Sequence, residues 1–209
     1  TTTNSVAAVS VLAPPTTLST PTSVVASATT STEKSIDVSW DTSTGASSYT
    51  VKIYNAAGAS VLGTKTSVTG TSTTITASTY SAIAHNTAYK ITVTAIGDAG
   101  VNYNNSAESA QASVTTNPPN LVFSTPSSGL SGTANVAYSL TVAGSGGIAP
   151  LTYALTGTLV AGLNFNTSTG VISGTPTVSG SQIFSVTMTD ARSVSVSTSN
   201  FTIAIASAT

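Results

Sequence analysis

Asn86-Thr87-Ala88-Tyr89-Lys90-Ile91-Thr92-Val93-Thr94-Ala95 alternates apolar and polar side chains from Tyr89 onward. Successive side chains of a strand point to opposite faces, so Tyr89, Ile91, Val93 and Ala95 form one apolar row on a half-buried β-strand. The same alternation recurs upstream. Ser35-Ile36-Asp37-Val38-Ser39-Trp40 places Ile36, Val38 and Trp40 together, and Ser48-Tyr49-Thr50-Val51-Lys52-Ile53 does so for Tyr49, Val51 and Ile53. Runs of this kind fall at 22–28, 35–40, 48–54, 60–68, 72–77, 88–96 and 109–115. Short strands separated by turn residues at about 8–12 positions predict an antiparallel sandwich. The stretch 78–85, the longest connection with helix formers, is too short for a stable helix.

Composition supports an all-β reading and excludes several function classes. Charged residues make up 5% of the 209, against about 25% in an ordinary soluble protein. Thr and Ser take their place, and β-branched and aromatic residues recur at strand spacing, which argues for a folded chain rather than a disordered one. A net charge of −1 does not supply the basic footprint of a nucleic-acid binder. It also leaves little repulsion between copies, so self-association is cheap. No run of 18 apolar residues is present to span a bilayer as a helix. The absence of Cys removes disulfides and thiolate chemistry. The start lacks both Met and a basic region, as expected of a processed product or an excerpt.

Punctuation divides the chain. Residues 1–20 form an N-terminal extension with an apolar patch, Val6-Ala7-Ala8-Val9-Ser10-Val11-Leu12, followed by Pro14-Pro15. Residues 21–116 carry the first set of strands, Asn117-Pro118-Pro119-Asn120 is a stiff break, and 121–209 carry a second set. In the second set Leu163, Phe165, Ile172, Phe184, Val186 and Met188 fall on inward positions, while Gly162, Gly170 and Gly174 mark turns or close backbone approaches.

The order of landmarks in 21–116 resembles a fibronectin type III domain. Pro21 opens the first strand, Trp40 ends the second, and Tyr89 sits near the start of the sixth, with Ile83 where that family usually has Leu. The resemblance implies a seven-stranded sandwich with Trp40 and Tyr49 in the core and a tyrosine corner at Tyr89. Its adhesive Arg-Gly-Asp is missing, since the only Arg is Arg192.

Residues 121–209 resemble the Ig-like, cadherin-like domain repeated on bacterial surface proteins. The resemblance rests on Gly162-Leu163-Asn164-Phe165, Ser168-Thr169-Gly170, Ile172-Ser173-Gly174-Thr175-Pro176 and the Phe184-bearing strand that ends in Asp190. Val160-Ala161 departs from the usual lead-in to Gly-Leu. Together the two resemblances imply two tandem immunoglobulin-like antiparallel sandwiches behind an extension.

Few residues offer chemistry. His85 is the sole imidazole and lacks partners for a metal site. It flanks the same strand as Asp98, but no Ser is marked as activated. Asp190 ends its strand as the Asp of the cadherin-like family does, and that resemblance implies a calcium role. Carbonyl oxygens would have to contribute to it, since Asp190 is the only acid of its half; the leading reading is the cap of the turn at Ala191-Arg192. The sequons at Asn104, Asn166 and Asn200 are expected by chance in so Ser/Thr-rich a chain. Tyr54, Tyr80 and Tyr103 fall off the inward rows and are the candidates for polysaccharide contact.

No enzyme activity, cofactor or metal is expected. The leading reading is a secreted structural protein of a microbial surface, a self-assembling filament, layer or matrix subunit. A spacer or adhesin stalk, and an accessory module of a secreted polysaccharide hydrolase, are the alternatives. Few edge charges are available to block strand pairing. Val6, Val9, Val11 and Leu12 form an apolar assembly-strand candidate that neither module needs.

Overall fold

The computed structural model of the protein describes residues 13–29, 34–98, 102–124 and 130–209. The assembly-strand candidate Val6, Val9, Val11 and Leu12 lies outside them. The described chain is all strand and turn, with no helix long and apolar enough to cross a membrane. It divides into two compact units, Thr1–Asn117 and Pro118–Thr209.

The first unit runs β1 (Thr16–Thr17), β2 (Val25–Ala28), β3 (Ser35–Ser39), β4 (Ser48–Asn55), β5 (Val61–Val68), β6 (Ser72–Thr76), β7 (Ala88–Ile96), β8 (Tyr103–Asn104) and β9 (Ala112–Thr115). One sheet has the order β2-β3-β6 and the other β5-β4-β7-β9; β1 pairs with β8 in parallel. Period-two alternation fills the space between the sheets. Ile36 and Val38 from β3, Val51 and Ile53 from β4, and Ile91 and Val93 from β7 are fully buried, with Trp40 and Tyr49 edge to face at 5.2 Å. Thr16–Leu18 belong to this unit rather than to a free extension. β1 is hydrogen-bonded along β8, and Leu18 is buried in the core cluster.

The second unit runs β10 (Val122–Ser124), β11 (Ser131–Thr133), β12 (Tyr138–Thr141), β13 (Ala143–Ser145), β14 (Thr152–Gly157), β15 (Leu163–Asn166), β16 (Val171–Gly174), β17 (Gly180–Thr189), β18 (Ser195–Ser197) and β19 (Phe201–Ala206). The sheet β11-β19-β17-β14, with β18 also on β17, faces the sheet β12-β16-β15; β10 pairs with β13. Leu163, Ile172, Phe184, Val186 and Met188 are buried, whereas Phe165 is half-buried and packs against the core from its margin. Phe165 lies on β15, an edge strand of the three-stranded sheet, where the second sheet covers it incompletely. Val160, in the atypical lead-in, is buried.

Gly162 and Gly174 are required where they stand. Their φ values are +93° and +142°, and a Cβ on Gly174 would lie 2.1 Å from the Gly162 carbonyl oxygen. Only a residue without a side chain permits that approach between the start of β15 and the end of β16.

Candidate functional site

Three polar anchors and the open sheet edges are what these sandwiches present. The first anchor is Tyr89. Its hydroxyl donates to the Ala82 carbonyl and accepts from the Ala84 N–H, both at 2.8 Å, pinning the turn before β7 around buried Ile83. This is the geometry of a tyrosine corner. Tyr89→Phe is expected to cost about 1 kcal/mol, because two part-buried backbone groups lose their partner while the buried ring stays. Urea titration of the two proteins measures it, and equal midpoints would show that water satisfies both groups.

The second anchor is Glu108, in the connection between β8 and β9. Its carboxylate accepts from the Lys52 ammonium, from the Tyr54 hydroxyl at 2.8 Å and from Thr92 Oγ1 at 3.0 Å. Burial pushes the Glu108 pKa up, but the three donors outweigh it and hold the group below its ordinary value. The hydrogen bond to Glu108 raises Lys52 in turn, and burial raises Tyr54. The Glu108 contribution to stability is therefore present above its unfolded pKa of about 4.3 and lost as pH falls through the lower folded value. That of Lys52 is full below about 10.4 and lost as pH rises through its raised value. Since both side chains are about one-third exposed, Glu108→Gln is expected to cost only about 0.2–1 kcal/mol near neutrality. The difference from the parent should shrink toward pH 3 in thermal melts; a constant difference would assign the effect to shape rather than charge.

Asp190 is the third anchor. Its buried carboxylate accepts from the backbone N–H groups of Ile148, Arg192 and Val194 at 2.9–3.1 Å and from Arg192 Nε and a terminal guanidinium nitrogen at 3.1 Å. Burial pushes its pKa up, but these donors prevail and hold it below the ordinary carboxylate range. Gly147 admits the neighbouring loop, since a Cβ there would lie 2.8 Å from the Asp190 Cβ. The oxygens a cation would need are thus occupied in closing the turn.

The remaining titratable candidates are also tied locally. His85 Nδ1 meets the Asn117 carbonyl at 3.0 Å, and Asp98 accepts from Asn102 and Tyr103. Among the described residues no group of three or more His, Cys, Asp or Glu converges. The tyrosines expected to stand free do not. Tyr54 is buried and bonded to Glu108, Tyr80 donates to the Thr64 carbonyl at 3.1 Å, and Tyr80 and Tyr103 pack on the core. The Glu108 loop and the turn after β6 fold over strand faces that alternation alone reads as open.

The edges of the first unit differ in protection. On one side β5 lies against β6, where Tyr80 covers the Thr64 carbonyl and the Lys65 ammonium donates to the Thr74 carbonyl at 3.0 Å. This corrects the expectation that the edges go unguarded. On the other side β2 lies against β9. A groove of about 370 Å³ runs there between 20–24 and 109–112, lined by Pro21, Val24, Ala110 and Ala112 among others and by no charged side chain. Val25, at the start of β2, is 57% exposed. In the second unit the edge strands β14 and β15 carry no charge at all.

Residues missed by pattern reading include Ser106 and Ser109. Their buried hydroxyls accept from the Ala95 and Val93 N–H groups, extending the β7 ladder beyond β9. Nothing in period-two alternation marks a serine as a substitute for a backbone carbonyl.

The family model of the Putative Ig domain matches residues 112–206, a span that begins in β9. Among solved structures, an Fn3-like protein from Clostridium thermocellum is similar at 26% identity over 48% of this chain and 95% of its own, with a TM-score of 0.39. The CbhA fibronectin(III)-like modules of Clostridium thermocellum are similar at 18% identity over 90% of this chain and 94% of their own, at 0.31. Sidekick-1 immunoglobulin domains 1–5 are similar at 14% identity over 91% and 39%, at 0.45. No curated protein matches. By its strand order the chain is built of fibronectin type III-like and Ig-like sandwiches, and the Putative Ig domain model matches residues 112–206, less than half of the chain.

Proposed function

We propose that the protein is a non-catalytic structural component of a microbial cell surface, a secreted subunit that self-assembles into a filament, layer or matrix. The carrying observation is the charge distribution. Residues 118–209 hold two charged side chains, Asp190 and Arg192, and these pair with each other at 3.1 Å. A unit so nearly neutral has almost no electrostatic barrier to meeting a copy of itself. Its edge strands β14 and β15 carry no charge; the Tyr153 N–H of β14 is taken by the Thr167 carbonyl, and the remaining outward backbone groups are what another strand could pair with. The non-catalytic part is supported by the commitment of Glu108, Asp98, Asp190 and His85 to hydrogen bonds within their own units.

Sedimentation velocity over a wide concentration range, at low and high salt, tests the reading. The expected result is a mass that grows with concentration and does not fall when salt is raised, since no attraction between opposite net charges is being screened. A monomer at every concentration would remove assembly and favour the second reading, a spacer or stalk within a larger surface protein. Support for that alternative comes from the two units each having a core of its own.

A further inference from the structure

We propose that the groove between 20–24 and 109–112 accepts the Val6–Leu12 segment of a second copy of this chain as an added strand. The inference rests on the self-assembly reading and supplies its contact. The groove lies where the chain enters β2 and β9, edge strands of the two different sheets. The Thr22 carbonyl and the Ser109 N–H of its lining are taken by Asp41 and Val93, so an added strand would pair with the remaining backbone groups of this edge. Of the two flanks of the first unit, this is the one without Lys65 and Tyr80 across it. Extended segments join sheets in this way by backbone hydrogen bonds, with side chains seated in the adjoining groove.

The chemistry of the segment matches that of the groove. Val6-Ala7-Ala8-Val9-Ser10-Val11-Leu12 has no charge, and neither does the lining. In an extended conformation Ala7, Val9 and Val11 face one way and Val6, Ala8 and Leu12 the other. Such a two-sided apolar strand is poorly served by a flat edge with one dry face. A groove walled by 20–24 on one side and 109–112 on the other meets both.

Connectivity favours a second copy over the segment's own groove. β1 pairs in parallel with β8, and the Thr16 N–H donates to the Asn102 carbonyl. Moving from Thr16 toward the N-terminus therefore leads along the chain toward the loop before β8. The groove lies in the other direction, beside 20–24. Pro14 and Pro15 fix φ and hold their predecessors extended, which carries the departure further out.

The absence of Cys makes the test clean. Full-length chains bearing Val9→Cys and Ala110→Cys are mixed under mild oxidation, with Val178→Cys, an exposed position in the second unit, replacing Ala110→Cys as control. Association is measured in parallel for Ala110→Arg and for Val9→Asp/Val11→Asp, with circular dichroism and Trp40 emission confirming the fold. The expected result is a disulfide between Val9→Cys and Ala110→Cys chains and not with the control. Each charged variant should need at least about ten times more protein to associate, roughly 1.4 kcal/mol. Association unchanged in both charged variants would overturn this contact while leaving self-assembly standing. No association of the unsubstituted chain would overturn both. A Val9→Cys/Ala110→Cys chain that closes on itself as a monomer would place the segment on its own module and overturn docking between copies.

Discussion

Replacing Trp40 with Ala is expected to remove much of the stability of the first unit and leave the second standing. Trp40 is 5% exposed, just after β3, and its ring meets Tyr49 edge to face. Removing a buried aromatic of this size costs about 3–5 kcal/mol in lost transfer energy and residual cavity. Domains of this size are stable by only about 5–15 kcal/mol in all. Calorimetry of the whole chain should therefore lose or strongly lower one transition while the other persists, because the two core clusters share no residue. Trp40→Phe should be milder than its volume change implies. The indole N–H is buried without a hydrogen-bond partner among the described residues, and Phe removes that unpaired donor. The emission of the parent, with its single Trp, should be that of a shielded indole. Water-like emission together with a normal melt for Trp40→Ala would show that this ring does not hold the core.

Phe184→Ala is the matching experiment in the second unit. Phe184 is 1% exposed on β17 and packs at 5.6 Å against Phe201 of β19, between the pairings of β17 with β14 and β19. The substitution opens a cavity where three strands meet, again about 3–5 kcal/mol. The transition lost should now be the one that survives Trp40→Ala. Parallel loss of both transitions in either variant would show the units to be energetically coupled.

Strand positions and inward rows were readable because a half-buried strand announces itself by alternation alone. Tyr89, Ile91 and Val93 or Phe184, Val186 and Met188 cannot point anywhere but inward once the period is two. Gly162 and Gly174 were visible as special, though not that one backbone rests on the other. Asp190 was legible as a turn cap because its neighbours in sequence include its partners. Glu108 was not: its three partners stand 54, 56 and 16 residues away, and only the sandwich brings them together.

What the sequence determined by itself was the all-β class, the two sets of strands and the near-absence of charge, all properties of local pattern and composition. Which edges are closed and which aromatics are covered was decided by the tertiary structure alone. Lys65 and Tyr80 guard one flank because β5 and β6 are brought side by side, and Tyr54 is hidden because the loop carrying Glu108 crosses it. Such contacts join residues far apart in the chain, and a periodicity of two carries no information about which strands become neighbours.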